Sequence, residues 1–181
     1  MSTSAVEEKA VQLPAGVKAT LEGRLLTIRG KLGESKKQFD KINVNLTVQG
    51  DKVVFTPFSE KKKDNVVINT VLSIVGNMVT GVTKGFTYKV KVVYAHFPIS
   101  VKTKGDEILV ENFVGERSPR IAKIVGACKV TIEGDDVVIK GVSVEDVGQT
   151  AANLELATKI KRKDQRVFLD GLYIFEKSEG M

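Results

Sequence analysis

Apolar and polar positions along this chain alternate over short stretches, and twice they give way to a longer run with helical spacing. Phe86, Tyr88, Val90, Val92 and Tyr94 fall on one face of an extended segment, the period of two expected of a half-buried strand. Leu25 to Ile28, Ile42 to Val48 and Val53 to Phe55 are short, β-branched and bounded by Gly or Asp, so they read as strands. Ile108 to Val110, Lys129 to Ile132 and Val137 to Ile139 repeat that pattern. Gly50-Asp51 and Gly134-Asp135 separate the paired runs, so each pair reads as a hairpin whose Gly supplies a positive φ.

The longer runs need arbitration. Val66 to Val79 is rich in Val, Ile and Asn, and propensity alone allows a strand there. Val144 to Ile160 contains Ala151, Ala152, Leu154, Glu155, Leu156 and Ala157, which are strong helix formers. Ser143 followed by Asp146 offers a start resembling a capping box. Val147, Ala151 and Leu154 share one face, as do Val67, Val71, Ile74 and Met78, and both runs are predicted as helices.

The chain also repeats itself. Asn45 to Phe55 reads NLTVQGDKVVF and Lys129 to Ile139 reads KVTIEGDDVVI, a spacing of 84 that also pairs Pro14 with Pro98. At a spacing of 82, Gly23 pairs with Gly105 and Gly33-Glu34 with Gly115-Glu116. The economical reading is an α+β chain of two tandem repeats, each a small antiparallel sheet with one helix packed on a face. The expected division is a flexible tail over residues 1–8, a first repeat over 9–82 and a second over 83–181, with the boundary near Thr80 to Gly85. Ser178 to Met181 reads as a short flexible end.

Composition narrows the function. Lys and Arg number 28 against 22 Asp and Glu, a net charge of +6, which favours polyanionic partners. The longest unbroken apolar runs are four or five residues, and Met1 to Gly16 has no apolar stretch, so neither a membrane span nor a secretory leader is expected. A cytoplasmic location follows as the expectation. The single Cys128 excludes an internal disulfide, and its alternating apolar surroundings make it a small buried hydrophobe.

An enzyme is not expected. His96 is the only histidine, so histidine-paired nucleophiles and histidine metal clusters lack parts. Asp106-Glu107, Asp135-Asp136 and Glu145-Asp146 read as turn and helix-start acids. Gly76 to Gly81 has the glycine spacing of a phosphate loop, but Val82-Thr83 stands where Lys and Ser or Thr are required. No cofactor, metal or small-molecule substrate is expected.

Local charge is more informative. Residues 1–90 carry 14 basic and 8 acidic residues, while residues 91–181 carry 14 of each. That balance hides two clusters: Arg117, Arg120, Lys123 and Lys129, with no acid between 117 and 132, and Lys159, Lys161, Arg162, Lys163 and Arg166, offset only by Asp164. Five cations within eight residues after a helix end can reach several backbone phosphates at once. With little aromatic interleaving, they favour docking on folded RNA through shape and phosphates over single-strand stacking. Lys61-Lys62-Lys63 reads as an exposed loop ahead of the first helix.

Gly81 to Lys89 (GVTKGFTYK), Val93 to Pro98 (VYAHFP), Val147 to Asn153 (VGQTAAN) and Arg166 to Tyr173 (RVFLDGLY) resemble the linker, opening strand, second helix and C-terminal segment of the ribosomal protein L-six family, in its archaeal and eukaryotic form. The resemblance runs from Val11 to Lys177. It implies two repeated domains and a structural constituent of the large ribosomal subunit. It also implies binding to large-subunit rRNA near the sarcin–ricin loop and stalk base, supporting assembly and translation, with neighbouring large-subunit proteins as partners. Most RNA contacts are then expected from the second domain. One departure is Gly30-Lys31 where many relatives carry Gly-Pro. The competing expectation is a protein–protein interaction module with a basic surface.

Overall fold

A computed structural model describes residues 9–40, 42, 44–57, 62–161, 163–164 and 166–181; the expected tail over residues 1–8, Lys61 and Arg162 lie outside the described residues. The chain forms two compact units, Met1–Lys84 and Gly85–Met181. The first contains β1 (Lys9–Gln12), β2 (Lys18–Glu22), β3 (Leu25–Gly30), β4 (Gly33–Gln38), β5 (Val44–Gln49), β6 (Lys52–Pro57) and α1 (Lys62–Thr83). These strands make two antiparallel sheets, ordered β1-β6-β5 and β2-β3-β4. The second contains β7 (Phe86–Val93), β8 (Ser100–Lys104), β9 (Glu107–Glu111), β10 (Arg120–Lys123), β11 (Lys129–Glu133), β12 (Asp136–Gly141), α2 (Val144–Ala157) and β13 (Gly171–Glu179). Its sheets are ordered β10-β9-β8 and β11-β12-β7-β13.

The duplication extends to strand register. Val48 opposes Val53 in the first unit and Ile132 opposes Val137 in the second, both 84 residues on. Leu21 opposes Leu26 as Thr103 opposes Ile108, both 82 residues on. The turns between these strands hold Gly50 and Gly134 at φ 58° and 63°, where a side chain would be strained. Leu13 N donates to Asp51 O at 2.8 Å, and Val92 N to Asp135 O at 2.8 Å, the same bond in each copy.

The α+β class and the paired helices are as the pattern predicts, but each unit has two sheets where one was expected. Six strands are not marked by the pattern, β1, β2, β4, β8, β10 and β13; of these β2, β4 and β8 read KATLE, GESKKQ and SVKTK. They are edge strands with mostly exposed residues, so they carry little hydrophobic period to recognise. β13 extends the second unit's larger sheet by one strand, and Ser178 and Glu179, expected in a flexible end, belong to it. Gly180 N donates to Gly85 O at 2.9 Å and Ser178 Oγ to Thr87 O at 3.2 Å, so the C-terminus is stitched to β7.

Each helix buries one stripe. In α1 that stripe is Ile68, Val71, Val75, Met78 and Val82, packed towards β1, β3, β4 and β6. Each fully buried Val or Ile contributes about 1.5–3 kcal/mol. Val66–Thr83 is long and apolar enough by composition to cross a membrane, which a search for unbroken apolar runs overlooks because Asn69, Ser73 and Asn77 interrupt it. In the fold this segment is the core helix of its unit. Lys62 and Lys63 open α1 and do not form a loop before it. In α2 the buried stripe is Val147, Thr150, Ala151 and Leu154, and Ser143 caps the helix by accepting from Asp146 N at 3.3 Å. Cys128 is half-buried against this core, and desolvation raises its thiol pKa above the ordinary value.

Gly30 marks a close approach. The β3–β4 turn lies on the end of α1, where Leu32 N donates to Val82 O at 3.1 Å. A Cβ on Gly30 would stand 2.7 Å from that carbonyl oxygen. Gly30→Ala is therefore expected to destabilise the first unit by about 1–3 kcal/mol through overpacking, read as a lower urea midpoint at unchanged m-value.

Candidate nucleic-acid interface

β10 and the turn after it run alongside α2 in the opposite sense. Arg120 Nη1 donates to Ala157 O and Lys159 O at 2.9 and 3.1 Å, Asn153 Nδ2 to Lys123 O at 2.9 Å, and Val125 N to Thr150 Oγ1 at 2.9 Å. This ladder sorts the first basic cluster by position. Arg120 sits at the C-terminal end of α2 and Lys123 beside its middle. Lys129 follows Cys128, whose thiol feels Asp146 in the first turn of α2. Fourteen residues of helix span about 20 Å, so Lys129 belongs to the other end.

Arg120 is turned inward. Its Nε and Nη2 bind Glu116 Oε2 and Oε1 at 2.8 and 2.6 Å, and its guanidinium carbon lies 4.3 Å from the centre of the Phe113 ring. Only 25% of its side chain is exposed, and four of its donor contacts are made inside the unit. Those hydrogen bonds hold Glu116 below the usual carboxylate range against burial, with the Lys163 charge adding to the effect. Arg117 follows directly and is exposed. The turn before it is unusual, with Asn112 and Val114 at φ 56° and 51°; Asn112 Nδ2 donates to Pro98 O at 3.0 Å. A left-handed Val costs about 1–3 kcal/mol, so surrounding packing must hold this turn in place.

The second cluster occupies the segment between α2 and β13. Thr158, buried, fixes its start: its hydroxyl donates to Leu154 O and accepts from Leu172 N, both at 3.1 Å. Lys159, Lys161 and Lys163 are exposed. Arg166 is 89% exposed but paired with Asp164, which its Nε and Nη2 contact at 3.1 and 2.9 Å. Lys163 Nζ lies 4.4 Å from the centre of the Phe168 ring.

The segment ends on a group the sequence did not flag. Asp170, 1% exposed, accepts from Ala95 N at 2.7 Å, His96 N at 3.2 Å and His96 Nδ1 at 3.0 Å. A carboxylate only accepts, so Nδ1 carries the proton. Burial pushes the Asp170 carboxyl up, but these hydrogen bonds outweigh it and hold the pKa below the ordinary 3.8. The His96 ring stacks on Phe168 with centroids 4.7 Å apart. The only cue in the sequence was a lone histidine upstream of a Phe-Leu-Asp-Gly run, and nothing in one dimension joins them.

Arg117, Arg120, Lys159 and Lys163 thus share one end of the second unit, while Lys123 lies along α2 and Lys129 lies apart. Beside that end, Leu156, Ile160, Phe168, Leu169 and Tyr173 line a hollow of about 440 Å³. Among the described residues no group of His, Cys, Asp and Glu could hold a metal ion.

The depressed Asp170 pKa fixes a sign. Its contribution to stability is complete above the ordinary carboxylate pKa and is lost as pH falls through the lower folded value. Asp170→Asn is expected to lower stability at pH 7 by about 1–3 kcal/mol and to flatten the acid limb below about pH 4. Urea unfolding of both proteins across that range reads the difference.

The family model described as ribosomal protein L6 matches residues 13–85 and 97–171, one stretch in each unit. The large ribosomal subunit protein uL6 of Archaeoglobus fulgidus is 47% identical over 181 residues, covering 97% of this chain and 92% of its own. That of Methanobrevibacter smithii is 44% identical over 177 residues, covering 98% of this chain and 99% of its own. That of Aeropyrum pernix is 41% identical over 168 residues, covering 92% of each. With both repeats matched and such identity along nearly its whole length, the chain belongs to the ribosomal protein L6 family.

Proposed function

We propose that this protein is a structural component of the large subunit of cytoplasmic ribosomes and grips large-subunit rRNA chiefly through its second unit. The observation that carries the RNA contact is the convergence of the Arg117 turn and the Lys159–Lys163 segment at the C-terminal end of α2. Exposed cations on a braced segment suit phosphate contacts along folded RNA, which position the protein without base-edge readout. The family resemblance supports a site near the sarcin–ricin loop and the stalk base, and a part in assembly and translation. Arg120 contributes as a brace, since four of its five donors are used on Glu116 and two carbonyls. The exposed Ile121, Leu156 and Leu169, between 53% and 63% exposed, offer neighbouring large-subunit proteins an apolar place to pack.

Sedimentation of a native lysate tests the assignment. The protein should travel with the large-subunit and whole-ribosome peaks through moderate salt, and recovery only from light fractions would sink the ribosomal reading.

RNA binding itself is read by its salt dependence. If Arg117, Lys159, Lys161, Arg162 and Lys163 neutralise about five phosphates, tripling the salt should weaken binding to a large-subunit rRNA fragment by roughly two orders of magnitude. Replacing Lys159, Lys161 and Lys163 together with Ala should reduce the log–log slope by about three. Lys129→Ala, at the other end of α2, should change that slope by less than one. Equal slopes for the triple variant and the parent would remove this segment from the interface.

A further inference from the structure

The basic segment between α2 and β13 is tied at both ends by charged groups that are themselves mostly or wholly buried. At its entry, Arg120 holds the carbonyls of Ala157 and Lys159 and is itself held by Glu116. At its exit, Asp170 joins the segment to the turn after β7 through the amides of Ala95 and His96 and the His96 ring. That ring stacks on Phe168, and Lys163 lies over Phe168. The neighbouring Phe97 ring stands 3.3 Å from where a Gly115 Cβ would be, next to Glu116. Charge, ring and amide contacts therefore run from Ala95 to Lys163 without a break.

We propose that Asp170 and His96 are positioning residues for RNA binding: together they hold Phe168, and through it Lys163 and the segment behind it, in the arrangement that meets the phosphates. The proposal rests on the reading of this segment as an RNA surface. The physical argument is the cost of the arrangement. A carboxylate with 1% exposure is expensive unless both oxygens are used, and here both are used to carry the β7–β13 pairing, which ends with Gly171 opposite Val93, on into the turn after β7. Packing alone would need only an apolar residue there. A segment of lysines left free would have to be ordered at the moment of binding, at a cost in backbone entropy. A segment already ordered presents its charges at fixed spacing.

The test uses the full chain and two readings on each variant. Trypsin cleavage after Lys161 and Lys163, timed by mass spectrometry on the free protein, reports how firmly the segment is held. Salt-titrated binding to an rRNA fragment containing the sarcin–ricin loop and stalk-base helices reports the contact. His96→Ala and Asp170→Asn should each speed cleavage about tenfold, weaken RNA binding about tenfold at roughly 0.1 M salt and make the salt slope shallower. Thermal melting should stay cooperative. His96→Asn, whose side-chain amide can still donate to Asp170, should recover part of both effects; a general loss of stability would leave the slope unchanged and show no such rescue. Because His96→Ala removes a ring that is 38% exposed, it keeps the test informative if Asp170→Asn fails to fold. Unchanged cleavage in His96→Ala would overturn the proposal whatever the RNA does. Faster cleavage with unchanged RNA affinity would also overturn it, leaving the contact structural only. Failure of the parent protein to bind the fragment, with faster cleavage in the variants, would instead bring down the RNA-surface reading and the positioning role with it.

Discussion

Two helices, one in each unit, lie across the strands of this protein. Each has one apolar stripe and buries it against strands drawn from both sheets of its own unit. The sheets have only three or four strands each, and β2, β4 and β8 have mostly exposed residues, so the strands leave an apolar face to be covered. The helix therefore closes each unit. Ile68, Val71, Val75 and Val82 in the first, and Val147, Ala151 and Leu154 in the second, are wholly buried. Gly30 shows how tightly the closure is made, since its turn rests on the last carbonyls of α1 and leaves no room for a methyl group.

In the second unit the same closure sets up the candidate RNA surface. A helix leaves its last carbonyls without partners. Here the Leu154 carbonyl accepts from both the amide and the hydroxyl of Thr158, and Arg120 takes the carbonyl of Ala157, the last helical residue, together with that of Lys159 just beyond it. Both residues tie the helix end to neighbouring strands: Arg120 lies on β10, and Thr158 accepts from the Leu172 amide on β13. The basic segment leaves from that braced point and returns at Asp170. Its exposed lysines need no internal partner because the polar work around them is done by half-buried and buried groups.

How far this could be read from the sequence differs between fold and site. The repeat spacings of 82 and 84, the two hairpins, both helices and the opening strand of the second unit were all legible, because they rest on local periodicity and turn residues. β13 was missed: Tyr173 and Phe175 face solvent, which masks the buried period of an edge strand. The family was legible as well, because it is carried by long motifs in order. The candidate cations were legible only as a set. Arg120 and Lys163 look alike in one dimension, yet one is clamped between a carboxylate and two carbonyls while the other lies exposed over a ring.

Sequence by itself therefore determined the class, the duplication, the buried face of α2 and the family, since each depends on residues close together in the chain or on their order; of the face expected for α1, Val71 and Met78 are buried while Ile68 and Val75 take the places of Val67 and Ile74. Only the tertiary structure decided which charges face outward and which are consumed internally. Those outcomes depend on pairs such as Arg120 with Lys159, and His96 with Asp170, which lie 39 and 74 residues apart. No periodicity records such a pairing, because the first is made where α2 lies along β10 and the second where β13 pairs with β7.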